Sequence, residues 1–211
     1  MTPAILAQAG LDTASLQSLL FGDIDGYSLS SRGRERAGVH TENMTYGEVT
    51  PEVMELLMTA ANAKAGENFY DLGAGTGKGV LYSSLMSDLG RCIGIELLPE
   101  LHEASKLAQS RYNEHLLPKL PEHKKTQKTD FLCGDMLEID FSDADIIFTH
   151  CTCFSAPLMD AITEKFNKLK KGARVITVSK GLTSPHYVAT VTHTVQMAWG
   201  TATAYLYEKV S

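Results

Sequence analysis

Nine residues constrain this chain more than any others: Asp71-Leu-Gly73-Ala-Gly75-Thr-Gly77-Lys78-Gly79. They follow a short apolar run, Asn68–Leu72, and lead into a helical pattern over residues 78–89. Glycine at every second position removes Cβ atoms from a strand-to-helix turn, so that a ligand can lie directly on the backbone. The same alternation continues downstream. Arg91–Glu96, Lys128–Cys133 and residues 144–149 and 174–179 read as strands, with helical patterns over 99–116 and 158–169. Residues 191–199 and 202–209 read as a β-hairpin around Gly200. Helices between short strands imply βαβ crossovers and a mostly parallel sheet covered on both faces. The expectation is an α/β, doubly wound, seven-stranded sheet that closes on an antiparallel hairpin. In such sheets a ligand lies outside the carboxyl ends of the strands, at the point where strand order reverses.

The front of the chain is less patterned. Residues 1–20 read as one or two short helices, the second capped by Asp12 or Thr13. The polar, Gly-containing stretch 22–43, with Arg32, Gly33, Arg34 and Arg36, reads as a loop or lid. Pro51 opens a helix that Val53, Leu56, Leu57 and Ala60 would face inward. Residues 1–45 are therefore expected to form a helical segment and lid, and 46–211 the domain proper.

Composition excludes several classes. The 211 residues suit one domain, and 44% apolar with 21% charged residues is ordinary for a globular fold. No apolar run reaches the roughly 18 residues of a membrane span, and residues 1–20 lack the basic start of a signal peptide. The net charge of −6 argues against tight, sequence-blind nucleic-acid binding, although Lys119, Lys124, Lys125 and Lys128 form a local basic cluster. Four cysteines without C-x-x-C spacing, and seven histidines without ligand spacing, predict no disulfide framework and no metal site.

The glycine loop fails the phosphate-binding P-loop pattern twice, at Leu72 and Gly79. It fails G-x-G-x-x-G once, at Lys78. What fits is D-x-G-x-G-x-G, carrying a carboxylate two residues ahead of the first glycine. That charge would repel a pyrophosphate and attract an ammonium or sulfonium, which favours S-adenosylmethionine over a dinucleotide. Glu96 closes the next strand, where a carboxylate can accept from two ribose hydroxyls. Asp135, beside Met136 after the third strand, can accept from an adenine amino group. The cofactor expected is S-adenosyl-L-methionine, held by Asp71, Gly73, Gly75, Gly77, Lys78, Glu96, Asp135 and Met136.

Thr45-Tyr46-Gly47-Glu48-Val49 and Pro51-Glu52-Val53, upstream of the glycine loop, resemble the disruptor-of-telomeric-silencing histone-lysine methyltransferases. These are non-SET lysine methyltransferases on the class I, Rossmann-like methyltransferase fold. The resemblance continues through Gly94-Ile-Glu96, Gly134-Asp135, Ile146-Ile-Phe148, Phe154 and Ser179-Lys180 to Trp199 and Tyr205. It implies that Tyr46, Glu48 and Thr50 lie on a loop closing over the methionine half of the cofactor, with Glu48 facing its amino group. Read alone, Tyr46 would pack in the core and Glu48 would cap the following helix. The resemblance also implies that Phe154, Trp199 and Tyr205 wall an acceptor channel, and that His150 stands where a family asparagine contacts the cofactor. Two adjacent asparagines of the family pattern are replaced here, in Thr149-His150-Cys151-Thr152-Cys153-Phe154, and no basic tail is present.

The activity so implied is S-adenosylmethionine-dependent N-methylation of a protein lysine, in a histone or another protein. A lysine acceptor must lose a proton, at a cost of roughly 4–5 kcal/mol at neutral pH. Aromatic walls and a nearby sulfonium lower that cost. His150 and Tyr205 are the catalytic candidates, His150 as orienting group or base. Two alternatives stand beside this reading. One is a class I methyltransferase for a small molecule or a nucleic-acid base, which the missing prolines after the fourth strand weaken for amide and adenine acceptors. The other is a cofactor-binding module without turnover. The expected partner is a protein substrate, with neither strong nucleic-acid binding nor a membrane, in the cytoplasm, or the nucleus of a eukaryote.

Overall fold

A computed structural model describes residues 3–38, 46–197 and 200–211. Its centre is a seven-stranded sheet in the order β3-β2-β1-β4-β5-β7-β6. The strands are β1 (Asn68–Leu72), β2 (Arg91–Glu96), β3 (Lys128–Cys133), β4 (Ile146–His150), β5 (Arg174–Val178), β6 (Tyr187–Met197) and β7 (Gly200–Lys209). The first five are parallel. β7 runs antiparallel between β5 and β6 and closes the hairpin. The seven-stranded, mostly parallel expectation holds. The hairpin's first strand begins four residues earlier than the sequence suggests, because a register shift between Ala189 and Val191 breaks the alternation there.

The central strands are buried on both faces, as crossovers require. Phe69, Cys92, Ile146, Phe148 and Ile176 point into one apolar core. That core is covered by α4 (Pro51–Ala60) and α5 (Lys78–Met86) and reinforced by α2 (Thr13–Phe21). Tyr70, Leu72, Ile93, Ile147 and Val175 point the other way, against Ile162 and Phe166 of α7 (Ala156–Phe166). Caps explain where the helices start. The Asp12 carboxylate accepts from Ser15 N–H, Thr50 Oγ1 from Val53 N–H and Ser155 Oγ from Leu158 N–H. Pro51 and Pro157 occupy first-turn positions that lack an intrahelical donor in any case. After α6 (Pro99–Arg111) a π-turn, Tyr112–Leu116, and the 3-10 turns Leu117–Lys119 and Glu122–Thr126 complete the second crossover.

One expectation is overturned. Much of the stretch read as a loop or lid forms a helix, α3 (Gly26–Arg36), capped by Asp25. Hydrophobic periodicity missed it because its inward face is Gly26, Ser30 and Gly33 rather than aliphatic. The two glycines of this face, which lack Cβ atoms, allow close approach. A Cβ on Gly26 would lie 2.4 Å from the Tyr46 hydroxyl, and one on Gly33 2.8 Å from a Glu100 carboxylate oxygen. Arg36 pairs with Glu100 at 2.9 Å and ties α3 to α6. Among the described residues no helix is long and apolar enough to cross a membrane.

Candidate functional site

Strand order reverses between β1 and β4, whose carboxyl ends therefore frame the crevice expected of this fold. The Thr149 hydroxyl donates to the Leu72 carbonyl across that junction at 3.0 Å. Beyond it the glycine loop turns with φ of +84° at Gly73, +56° at Gly75 and +89° at Gly77. Only glycine adopts such values without strain. Gly77 then opens α5. A Cβ on Gly79 would sit 2.2 Å from Asp71 Oδ2, and one on Gly75 2.7 Å from the Tyr46 ring, whereas one on Gly73 meets only open space. The loop is packed on its inner side and bare on its outer side, as a backbone cradle must be.

A cleft of ≈ 920 Å³, counted out to its open mouth, runs along this loop. Leu97, Leu98 and Leu101 form one apolar wall, and Met136 and Leu137 the facing one. Glu96 and Asp135 bring carboxylates to the same space. Glu96 is held by two backbone donors, Gly75 N–H at 2.8 Å and Leu98 N–H at 2.9 Å. Burial raises its pKa, and those donors oppose the rise. Asp135 accepts from Leu137 N–H at 2.7 Å, which turns the loop after β3 back toward the cleft.

A second, smaller hollow lies inward, sharing Tyr46, Gly47, Gly73 and His150 with the first. It is bordered by Asp71, Glu48, Thr76 and Lys78. Asp71 is buried, and its pKa is pushed up to about 8 by desolvation and then by the charge of Glu96. Lys78 Nζ pairs with Glu48 at 2.6 Å and lies 5.0 Å from the Phe21 ring. The Tyr46 hydroxyl donates to the other Glu48 oxygen at 2.8 Å and shares a 2.9 Å hydrogen bond with Thr76. Burial raises the Tyr46 phenol well above its usual range, so it stays protonated.

His150 ends β4 and borders both spaces. Burial lowers its pKa to about 4, so the ring is neutral at pH 7. Such an imidazole orients a partner by hydrogen bonding and is a weak acceptor for an ammonium proton. Cys151 is buried and donates to the Val178 carbonyl at 3.1 Å, a packing role. Phe154 borders the cleft beside Leu158.

Two expected site residues, Thr50 and Tyr205, lie elsewhere. Thr50 caps α4 and borders neither space, because its hydroxyl is drawn to Val53 N–H. Tyr205 pairs with Thr177 and stacks on Tyr207 with ring centroids 6.4 Å apart; it borders neither space. Trp199 lies outside the described residues. Conversely, no sequence pattern pointed to Ser30, which α3 brings to the cleft from its small-residue face. Leu97 and Leu98 carried a signal, since they directly follow the strand that ends at Glu96.

The family model described as Histone methylation protein DOT1 matches residues 38–204. The chain belongs to the DOT1 family. A histone H3 lysine-79 N-methyltransferase of Dictyostelium discoideum is 34% identical over 138 residues, covering 63% of this chain and 7% of the relative. The Caenorhabditis elegans protein so named is 27% identical over 139 residues, covering 64% and 15%. The chain thus spans a small part of the length of these curated DOT1 relatives. Among solved structures, an RNA methyltransferase from Salinibacter ruber in complex with S-adenosyl-L-homocysteine aligns at TM-score 0.59 and 20% identity, covering 78% of this chain and 94% of that one. This likeness establishes the Rossmann-like methyltransferase fold.

Proposed function

We propose that this chain is an S-adenosylmethionine-dependent protein lysine N-methyltransferase acting on a histone. The observation that carries the reading is the pairing of a bare glycine cradle with carboxylates at successive strand ends, in a member of the DOT1 family. Among the described residues, the carboxylates of Glu48, Glu96 and Asp135 and the carboxyl group of Asp71 line the two spaces with the ammonium of Lys78, which suits a ligand that carries its own positive charge.

In this reading Glu96 accepts from the ribose hydroxyls, and Asp135 from the adenine amino group. Leu97, Leu101, Met136 and Leu137 cover the base. Asp71 and Glu48 hold the amino group, while Lys78 and the glycine-loop N–H groups face the carboxylate. The bound cofactor supplies a methyl group activated by its sulfonium. The chain contributes position and desolvation, which dominate catalysis of an in-line displacement. Phe154 shields the acceptor amine from water and so favours its neutral form. His150 is the hydrogen-bonding group at the junction of the two spaces and orients that amine.

The names of the DOT1 relatives point to chromatin as the site of action and lend the cytoplasm no support. The test is transfer of radiolabelled methyl from S-adenosylmethionine to core histones, nucleosomes and a whole-cell extract, with parallel protease and nuclease digests. Label in a protease-sensitive histone band is expected. Nuclease-sensitive label would replace the reading with a nucleic-acid methyltransferase. Cofactor binding with no labelled macromolecule would leave a small-molecule acceptor or a module without turnover.

A further inference from the structure

His150 pairs in register with Val178, so the residues just beyond β4 and β5 fall side by side at the cleft end of the sheet. There the Thr152 hydroxyl lies 3.2 Å from His150 Nε2 and 2.7 Å from Ser179 Oγ. A hydroxyl has one proton to donate. If Thr152 donates to Nε2, Ser179 must donate to Thr152. If Thr152 donates to Ser179, then Nε2 must carry the proton. Either way the chain of two hydroxyls ties the tautomer and the ring orientation of His150 to the turn after β5. Burial keeps that ring neutral, so a tautomer exists to be chosen.

The second observation is independent. Ser179 has φ +75°, a conformation that glycine adopts freely and serine resists. Its N–H donates to the Thr203 carbonyl at 2.8 Å, so β7 holds the residue in that strained state. Strain of this kind collects where the side chain serves the site. Cys151 and Lys180 fasten the same two turns, the thiol to the Val178 carbonyl and the ammonium to the Phe154 carbonyl.

We propose that Thr152 and Ser179 are positioning residues that tie the tautomer and ring orientation of His150 to the turn after β5 at the cleft end of the sheet. The inference rests on the methyltransferase reading for its consequence in turnover, but its structural content is separable.

The experiment compares Thr152→Val, Thr152→Ser and Ser179→Gly with the wild type, as the full chain saturated with S-adenosylhomocysteine. Nitrogen-15 spectra report the His150 tautomer, assigned by loss of its signals in His150→Gln. One tautomer is expected in the wild type and in Thr152→Ser, and a mixture in Thr152→Val and Ser179→Gly. Ser179→Gly should raise the thermal midpoint, since it relieves the positive φ. It should nevertheless lower kcat for methyl transfer about tenfold, with KM for the cofactor unchanged. A merely structural serine would not give that opposition. A wild-type tautomer pattern in either Thr152→Val or Ser179→Gly would overturn the proposal. If no acceptor is methylated by the wild type, the methyltransferase reading fails while the spectra still decide the relay. If both variants transfer at the wild-type rate, the relay fails and the methyltransferase reading stands.

Discussion

Asp71 is the residue on which the chemistry of the inner hollow turns. Its raised pKa, about 8, means that the folded chain holds a proton there at pH 7 that the unfolded chain has released. This group therefore destabilises the fold increasingly as pH rises from about 4, its unfolded pKa, to about 8, and no further above that. Asp71→Asn should remove this slope and unfold at higher temperature than the wild type near pH 8.5, a shift that calorimetry across pH would read. A ligand ammonium beside Asp71 favours the ionised form, so binding should release a proton. The affinity for S-adenosylhomocysteine should then rise between pH 6 and 8, by up to about tenfold per pH unit. Titration in buffers of different ionisation enthalpy measures that proton, and Asp71→Asn should abolish the release and weaken binding. Glu96 is a different kind of carboxylate. With two N–H donors already fixed on it, Glu96→Gln exchanges one acceptor for a donor and should weaken binding by about 1–3 kcal/mol without the proton linkage.

At the scale of elements, the cleft is assembled from pieces that the sheet alone does not hold. The loop after β3 is anchored by α7. Lys165 Nζ donates to the carbonyls of Met136 at 2.9 Å, Leu137 at 2.9 Å and Ile139 at 2.7 Å, and lies 4.7 Å from the Phe141 ring. Lys165→Met keeps the apolar stem and removes these three bonds. It should weaken S-adenosylhomocysteine and 5′-methylthioadenosine alike, by about tenfold, because the wall it supports faces the nucleoside. Equal affinity of the variant and the wild type for both ligands would show that the loop holds itself. On the opposite side, α3 rests on Tyr46 through Gly26. Gly26→Ala would drive a methyl group into the Tyr46 ring, whose carbon atoms lie 2.5 Å from the added Cβ. We expect a loss of stability of about 1–3 kcal/mol together with weaker cofactor binding, read by thermal melts with and without S-adenosylhomocysteine.

For the molecule as a whole, charge sets what it can meet. The net charge of −6 predicts poor affinity of this chain for naked DNA at physiological salt. Fluorescence anisotropy with a labelled duplex at about 0.15 M salt should show no tight complex. Nanomolar binding there would mean that the basic cluster near Lys124 and Lys128 acts as a local phosphate site. Lys124 itself is buried and committed to the Ser84 and Ser87 carbonyls and to Asp88, which leaves that cluster less available than its sequence suggests.

The sequence by itself determined the sheet, the cradle and the charges behind it. Strand and helix periods are local, a D-x-G-x-G-x-G turn bares its own backbone, and residues that end parallel strands emerge at one edge. Asp71, Glu96 and Asp135 were legible for that reason. What tertiary structure decided was everything that depends on a neighbour distant along the chain. The Gly26–Ser30–Gly33 face becomes a helix wall only because Tyr46 and α6 fill the space its missing side chains leave. Thr50 belongs to a helix cap and Tyr205 to a stack on Tyr207, choices made by the geometry of α4 and β7. Glu48 faces Lys78 and Tyr46 rather than the start of α4. The neutrality of His150 and the high pKa of Asp71 come from burial, and burial is a property of the packed whole.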